Sequence, residues 1–251
     1  MIKLVISGIA GRMGTLIGLL ASSDRRFELS GGLESPKNSA VGKDIGVVLG
    51  FGEAGAKVEA DFSKLIETCD VLIEFTAPEP TIAHLKEASN KKIGMVIGTT
   101  GLSPQQVEKI KEASLKIPIV FSPNMSVGAN LLFKIAEDIS MALDKSYEVE
   151  IVEAHHSGKK DAPSGTAKRL GDAVSKSRGK FPVIHSIRLG DIAGDHTVIF
   201  AGKGERIELT HRAHSRDAFA KGALDAAEFV AGRKPGLYTM QDVIRLGKAG
   251  K

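Results

Sequence analysis

Tryptophan is absent from this chain, cysteine occurs once, and the aromatic share is only 5%. With Cys69 alone, no intramolecular disulfide can form, which suits a reducing compartment. The residues after it, Asp70-Val71-Leu72-Ile73, read as the start of a buried strand, so Cys69 is expected to be an inert core thiol. No apolar run approaches the roughly 20 residues needed to cross a bilayer, which removes a membrane from the expected partners. Met1 to Ile6 is too short for the apolar region of a signal peptide, and no cleavage site follows. The expected location is cytoplasmic. A dominant charge is missing too: 34 Lys and Arg against 30 Asp and Glu leave +4, an excess that suits an anionic ligand or simple solubility. Nucleic-acid recognition calls for basic residues clustered on one face with interleaved aromatics. Here Lys and Arg are scattered, so nucleic acid is excluded as a partner. Internal repeats and low-complexity tracts are absent as well.

What is present is an ordinary globular balance, 251 residues of which 42% are hydrophobic, enough for one large domain or two modest ones. In the first half, apolar runs at residues 3–7, 27–33, 70–75, 94–98 and 117–121 alternate with helical spacing at 13–20, 81–89 and 104–114. Strands alternating with helices predict βαβ units and a parallel sheet covered on both faces. Residues 34–60 are glycine-rich and read as an irregular surface loop. After Asn124 the pattern changes: a long helix at 127–143, an alternating strand at 148–154, a helix at 164–177, and strand candidates at 183–189, 196–201 and 206–210. That block predicts an α+β domain with an open mixed sheet. A helix at 216–231, a Lys234-Pro235-Gly236 turn and a short helix at 239–246 close the chain.

The run Lys3-Leu4-Val5-Ile6-Ser7-Gly8-Ile9-Ala10-Gly11-Arg12-Met13-Gly14 reads as strand, tight turn, helix. Glycine permits the turn and lets backbone N–H groups approach a pyrophosphate. The helix N-terminus faces that anion with free N–H groups and the positive end of its dipole. About 20 residues past the last glycine, Glu34 ends the second strand, where an acid can bond a ribose hydroxyl. Two further loops, Gly98-Thr99-Thr100-Gly101 and Ser122-Pro123-Asn124-Met125, stand at strand C-termini, where open parallel sheets bind ligands. The chemistry-bearing segment is Glu153-Ala154-His155-His156-Ser157-Gly158-Lys159-Lys160-Asp161-Ala162-Pro163-Ser164-Gly165-Thr166. Ser164 can cap the following helix, whose Gly165 and Thr166 N–H groups then form an anion site. His155 or His156 can serve as acid or base near neutral pH, and a lysine can neutralise a carboxylate or donate a proton. Zinc is disfavoured, because consecutive histidines rarely converge on one metal and no Cys, Asp or Glu stands at a familiar ligand spacing. His84, His185, His196, His211 and His214 read as surface or structural residues.

Taken in order, Gly8-Ile9-Ala10-Gly11-Arg12-Met13-Gly14, Glu74-Phe75-Thr76, Gly98-Thr99-Thr100-Gly101, Asn124-Met125-Ser126-Val127-Gly128 and the 153–167 segment resemble the dihydrodipicolinate reductase family of lysine and diaminopimelate biosynthesis over essentially the whole chain. The resemblance implies a Rossmann-type parallel-sheet domain of residues 1–126 and 216–251, and an α+β domain of residues 127–215 for substrate binding and tetramer assembly. It implies reduction of 4-hydroxy-tetrahydrodipicolinate to tetrahydrodipicolinate by NADH or NADPH. His155 would be the acid/base and Lys159 the proton donor, and His156, Ser164, Gly165 and Thr166 would hold a carboxylate of the dicarboxylate substrate. Gly8, Ile9, Ala10, Gly11, Arg12, Met13, Glu34, Phe75, Thr76, Gly98, Thr99, Thr100, Ser122, Pro123, Asn124 and Met125 would line the cofactor. The implied assembly is a homotetramer. One position departs from the family: many members carry a basic residue directly after the acid at the end of the second strand, and here it is Ser35. Glu34 favours NADH, while Arg12 or Lys37 can meet a 2′-phosphate, so both cofactors stay open. An aspartate-type dehydrogenase would share the glycine turn but has no need of the 155–166 segment, and a non-catalytic sensor would bind NAD(P)H yet show no turnover.

Overall fold

A computed structural model describes residues 1–246. The chain divides into two compact units, Met1–Met125 with the segment from Phe219 onward, and Ser126–Ala218. Residues 247–251 of the C-terminal segment lie outside the described residues.

The first unit runs β1 (Ile2–Ser7), α1 (Arg12–Ser22), β2 (Phe27–Leu33), α2 (Ile45–Leu49), β3 (Val58–Glu59), β4 (Val71–Glu74), α3 (Pro78–Lys91), β5 (Gly94–Ile97), α4 (Pro104–Ser114) and β6 (Pro118–Phe121). The second unit contains α5 (Val127–Ala142), β7 (Glu148–His155), α6 (Gly165–Arg178), β8 (Val183–Arg188), β9 (Gly194–Gly202) and β10 (Glu205–Ala213). Then α7 (Asp217–Val230), β11 (Gly236–Tyr238) and α8 (Met240–Leu246) carry the chain back into the first unit.

The seven strands of the first unit lie in the order β11-β6-β5-β4-β1-β2-β3, all parallel. Their short, nearly unbroken apolar runs are what a sheet covered on both faces requires. Leu4 and Ile6 of β1 pack with Ile17 of α1 and with Leu224 and Val230 of α7. Val5 points the opposite way and packs with Leu85 of α3 and Ile110 of α4. Strand order reverses beside β1, because β2 continues to one side and β4 to the other. That switch leaves a crevice at the C-terminal strand ends, where such sheets bind ligands.

The sequence reading differs from this fold in two places. Residues 34–60 contain α2 and β3, organised by Asp44, whose carboxylate accepts from Gly46, Ala54 and Gly55 N–H at 2.8 Å each. The turn at Lys234-Pro235-Gly236 leads into a seventh strand, β11, which pairs with β6. Three residues on a sheet edge bury too little to mark themselves in the pattern. Cys69 is 8% exposed and sits just before β4, where burial pushes its thiol up to about 12.

The second unit holds a four-stranded mixed sheet, β10-β9-β7-β8, with β7 and β8 parallel and the other pairs antiparallel. One face is covered by α5 and α6, which bury Leu132, Phe133, Leu170 and Val174 against Ile151, Val198 and Phe200. The other face carries Val183 and Ile187, 54% and 45% exposed. Among the described residues no helix is long and apolar enough to cross a membrane.

Candidate active site

At the end of β1, Gly8 takes φ +78° and donates its N–H to Leu33 O at 2.9 Å, while Gly11 N–H closes the turn on Gly8 O at 2.9 Å. Helix α1 follows Gly11 without a side-chain cap. Its first-turn N–H groups therefore have no intrahelical acceptor. They open onto a cleft of about 400 Å³ lined by Gly11, Arg12, Met13, Phe75, Thr76, Gly98, Thr99, Thr100, Pro123, Asn124, Met125 and Phe219. Gly8 and Ile9 are buried in the turn that supports this wall, and Ala10 is exposed on it. Glu34 flanks the turn, its carboxylate accepting from Ala10 N–H at 2.9 Å and Ser35 N–H at 3.2 Å. Ser122 is buried, its hydroxyl donating to Asn124 O at 2.7 Å and so shaping the loop that forms the far wall.

Behind the cleft lies a buried polar network. Glu74, fully buried at the end of β4, accepts from the Thr76 hydroxyl and pairs with His84 Nδ1 at 2.8 Å. Thr99 Oγ1 bonds Thr81 Oγ1 at 2.8 Å and accepts from Thr76 N–H at 3.3 Å. His84 thus holds the polar floor of the cleft, and Phe219 of α7 supplies a wall residue that sequence reasoning passed over. An uncapped helix start, an arginine beside it and an acid on the neighbouring strand end suit the pyrophosphate and ribose of a dinucleotide.

In the second unit, Glu153 and His155 are two residues apart on β7, so both point to the helix-covered face. Glu153 is 0% exposed and His155 8% exposed. A buried carboxylate needs partners, and Glu153 has several. His155 Nδ1 bonds one oxygen, Arg188 of β8 grips both at 2.8 and 3.0 Å, and Ser164 N–H donates at 3.3 Å. Burial opposes ionisation of Glu153, but hydrogen bonds from Arg188, Ser186 and His155 overcome it and hold the carboxyl at about 2. Burial lowers His155 from its usual value, Glu153 pulls it back up, and Lys159 and Arg188 push it down. With Glu153 ionised, Nδ1 must carry the proton of a neutral His155, leaving Nε2 as the working nitrogen.

The loop between β7 and α6 carries the remaining candidates. Lys159 Nζ pairs with Asp161 Oδ1 at 2.7 Å, His156 is half-buried, and Lys160 is exposed. Ser164 is 2% exposed; its hydroxyl oxygen accepts from Ala167 N–H at 3.1 Å and lies 3.1 Å from His196 Nε2. Gly165 begins α6 in open space, and Thr166 is half-buried beside it. His155, Lys159, His156, Ser164, Gly165 and Thr166 all fall within this one unit. So do two residues the sequence did not single out. Arg188 faces His155 across the β7–β8 pair, and His196 stacks edge-on against it with ring centroids 5.1 Å apart. His185 is exposed and pairs with Glu150, whereas His211 lies against Ser126. Among the described residues no group of three or more His, Cys, Asp or Glu side chains could hold a metal ion.

Comparison with known proteins matches both halves. The N-terminal model of dihydrodipicolinate reductase covers residues 2–125, and the C-terminal model covers residues 128–244. The chain belongs to the dihydrodipicolinate reductase family. It is 44% identical to the 4-hydroxy-tetrahydrodipicolinate reductase of Geotalea daltonii, over 98% of this chain and 100% of that one. The corresponding protein of Geobacter sulfurreducens is 43% identical over the same shares, 98% and 100%. A solved dipicolinate-bound dihydrodipicolinate reductase from a Paenisporosarcina species shares the fold, with a TM-score of 0.81 at 24% identity, covering 95% of this chain and 97% of that one.

The buried histidines give this family member a defined acid response. Burial, then the neighbouring His155, lower His196 to about 3. An unfolded chain takes up that proton near pH 6.5 and the folded one does not, so stability falls as pH drops below about 6.5. His155, lowered in the same direction, adds to the loss. Glu153, held at about 2, adds more as pH falls below its unfolded value near 4.3. Calorimetry should show Tm flat from pH 8 to 7 and falling steadily toward pH 4, with a shallower fall in His196→Gln. A Tm equal at pH 7.5 and 5 would contradict the buried, neutral histidines.

Proposed function

We propose that this protein binds NADH or NADPH on its first unit and reduces 4-hydroxy-tetrahydrodipicolinate to tetrahydrodipicolinate, a step of lysine and diaminopimelate biosynthesis. The observation that carries the reading is a buried histidine, oriented by an ionised glutamate, placed beside a lysine-bearing loop and an open helix N-terminus. The bound nicotinamide supplies a hydride. The N–H groups at the start of α1 and the Arg12 guanidinium hold the pyrophosphate. Glu34 meets the ribose, and Phe75, Thr76, the 98–100 loop and the 122–125 loop enclose the rest.

The dicarboxylate is held by the second unit. Gly165 and Thr166 present the N-terminus of α6 to one carboxylate, with His156 beside it. Ser164 is too buried to reach far; it caps the helix and so sets the direction of those N–H groups. Lys159 and Lys160 offset the two negative charges. The 4-hydroxyl leaves as water together with a ring hydrogen, and hydride then adds to the unsaturated ring. The accompanying proton comes from Lys159 Nζ, or from His155 after its bare Nε2 has itself taken up a proton. The solved relative whose name records bound dipicolinate supports a ligand of this class.

The test couples the purified protein to a dihydrodipicolinate synthase and follows nicotinamide absorbance. Substrate-dependent oxidation is expected, and its absence overturns the reading. We extend the proposal to a cytoplasmic homotetramer assembled through the outer face of the four-stranded sheet, supported by the exposed Val183 and Ile187 there. Sedimentation at micromolar concentration should give four times the chain mass of 26.6 kDa. A monomer would overturn the assembly, and recovery in a membrane fraction would overturn the location.

A further inference from the structure

We propose that Glu153 and Arg188 are positioning residues: Glu153 fixes the His155 ring, and Arg188 ties the same carboxylate to the backbone of the lysine-bearing loop. The proposal rests on the reading above, in which His155 and Lys159 move the proton.

Arginine has five N–H donors and no acceptor. In Arg188 all five are committed. Nη1 donates to Glu153 Oε2 at 3.0 Å and to Ile187 O at 2.7 Å. Nη2 donates to Glu153 Oε1 at 2.8 Å and to Asp161 O. Nε donates to Lys159 O at 3.3 Å. No donor is left for a substrate carboxylate, so this guanidinium, although cationic and beside the site, does not bind the dicarboxylate. Its planar fork instead holds two carbonyls of the 159–161 loop and one carboxylate in a single rigid arrangement. Lysine, a point charge with three donors, cannot reproduce that.

Glu153 is the other half of the device. One oxygen takes Arg188 and Ser164 N–H; the other takes Arg188 and His155 Nδ1. One buried side chain therefore touches the histidine, the cap of the anion-binding helix and the clamp on the lysine loop. Gly194 of β9 lies on the far side of the ring, where an added Cβ would come within 3.1 Å of His155 Nε2. The glycine keeps the nitrogen clear that Glu153 turns outward. The charged and titratable groups facing His155 are Glu153 on β7, Arg188 on β8, Lys159 on the loop and His196 on β9. Only Glu153 among them favours the imidazolium.

Two variants of the full chain test this in the synthase-coupled assay. Glu153→Gln should lower kcat on the order of 10- to 100-fold. It should also move the limb of the pH–rate profile that belongs to His155 to lower pH, because the imidazolium loses its one anionic neighbour. Arg188→Lys, which keeps the charge, should lower kcat and raise KM for the dicarboxylate, with KM for the nucleotide unchanged. A purely structural ion pair would lower Tm in both variants without moving the pH limb. If either variant fails to fold, ring 15N spectra of the wild type decide: Nδ1 protonated and Nε2 bare is expected, and the opposite tautomer overturns the proposal. Wild-type kcat and pH profile in Glu153→Gln and Arg188→Lys, with His155→Gln impaired, would overturn the positioning role alone. A fully active His155→Gln would instead overturn the reading it rests on.

Discussion

Replacing Lys159 with alanine is expected to lower kcat on the order of 100-fold or more and to raise KM for the dicarboxylate. Nucleotide affinity should stay within about 2-fold, since an enzyme's remote binding contacts contribute separately from its proton donor. The side chain is only 23% exposed and its Nζ rests on Asp161 at 2.7 Å, so it is held at the site rather than waving in solvent. Its loss removes a proton donor and one of the positive charges that offset the substrate's carboxylates. Arginine separates these two contributions. Lys159→Arg keeps the charge but cannot release a proton at any working pH. It should recover the KM and leave kcat depressed. His155→Gln gives the parallel result on the other candidate: the amide can still bond Glu153 but cannot titrate. Both variants at wild-type kcat/KM in the synthase-coupled assay would remove this loop from the chemistry.

The second large effect is expected at the opening turn. Gly14→Ala should weaken NADH and NADPH binding on the order of 100-fold and lower Tm by several degrees, as overpacking of a tight core does. A Cβ on Gly14 would lie 2.0 Å from Gly8 O, 2.6 Å from Gly8 C and 2.7 Å from Ile9 Cα. All three obstacles are backbone, so no side chain can swing aside. Helix α1 must back away from the turn, and the N–H groups that form the anion site move with it. Nothing in the second unit is touched, so affinity for a dicarboxylate analogue measured without nucleotide should be retained. Fluorescence titration of the reduced nucleotide checks the outcome. Binding within about 3-fold of wild type would mean that the turn tolerates a displaced helix and does not set nucleotide affinity.

Much of this was readable in the residue pattern because it is local. The apolar runs of β1, β4, β5 and β6 are buried on both faces and leave no ambiguity of period. The glycine turn announces itself within seven residues, Gly8 to Gly14, since strand, turn and helix are contiguous there. The segment from Glu153 to Thr166 likewise places its histidines, lysines and helix cap within one stretch of chain. The alternation of Glu153 and His155 even puts those two side chains on one face of a strand before any tertiary contact is known.

What only the tertiary structure decided is non-local. Arg188 enters the site because β8 lies parallel to β7 with His155 opposite it, and His196 because β9 runs antiparallel on the other side with Glu153 opposite it. Nothing near either residue in the sequence distinguishes an arginine that spends all five donors from one that is solvated. His84 reaches Glu74 and Phe219 reaches the cleft for the same reason, and β11 exists because β6 offers an unpaired edge. The chain by itself determined which chemical groups are available and the local turns that present them. Register between distant strands determined which of those groups are neutralised, which are oriented and which stay free to act, because hydrogen bonds and burial depend on neighbours that only folding brings together.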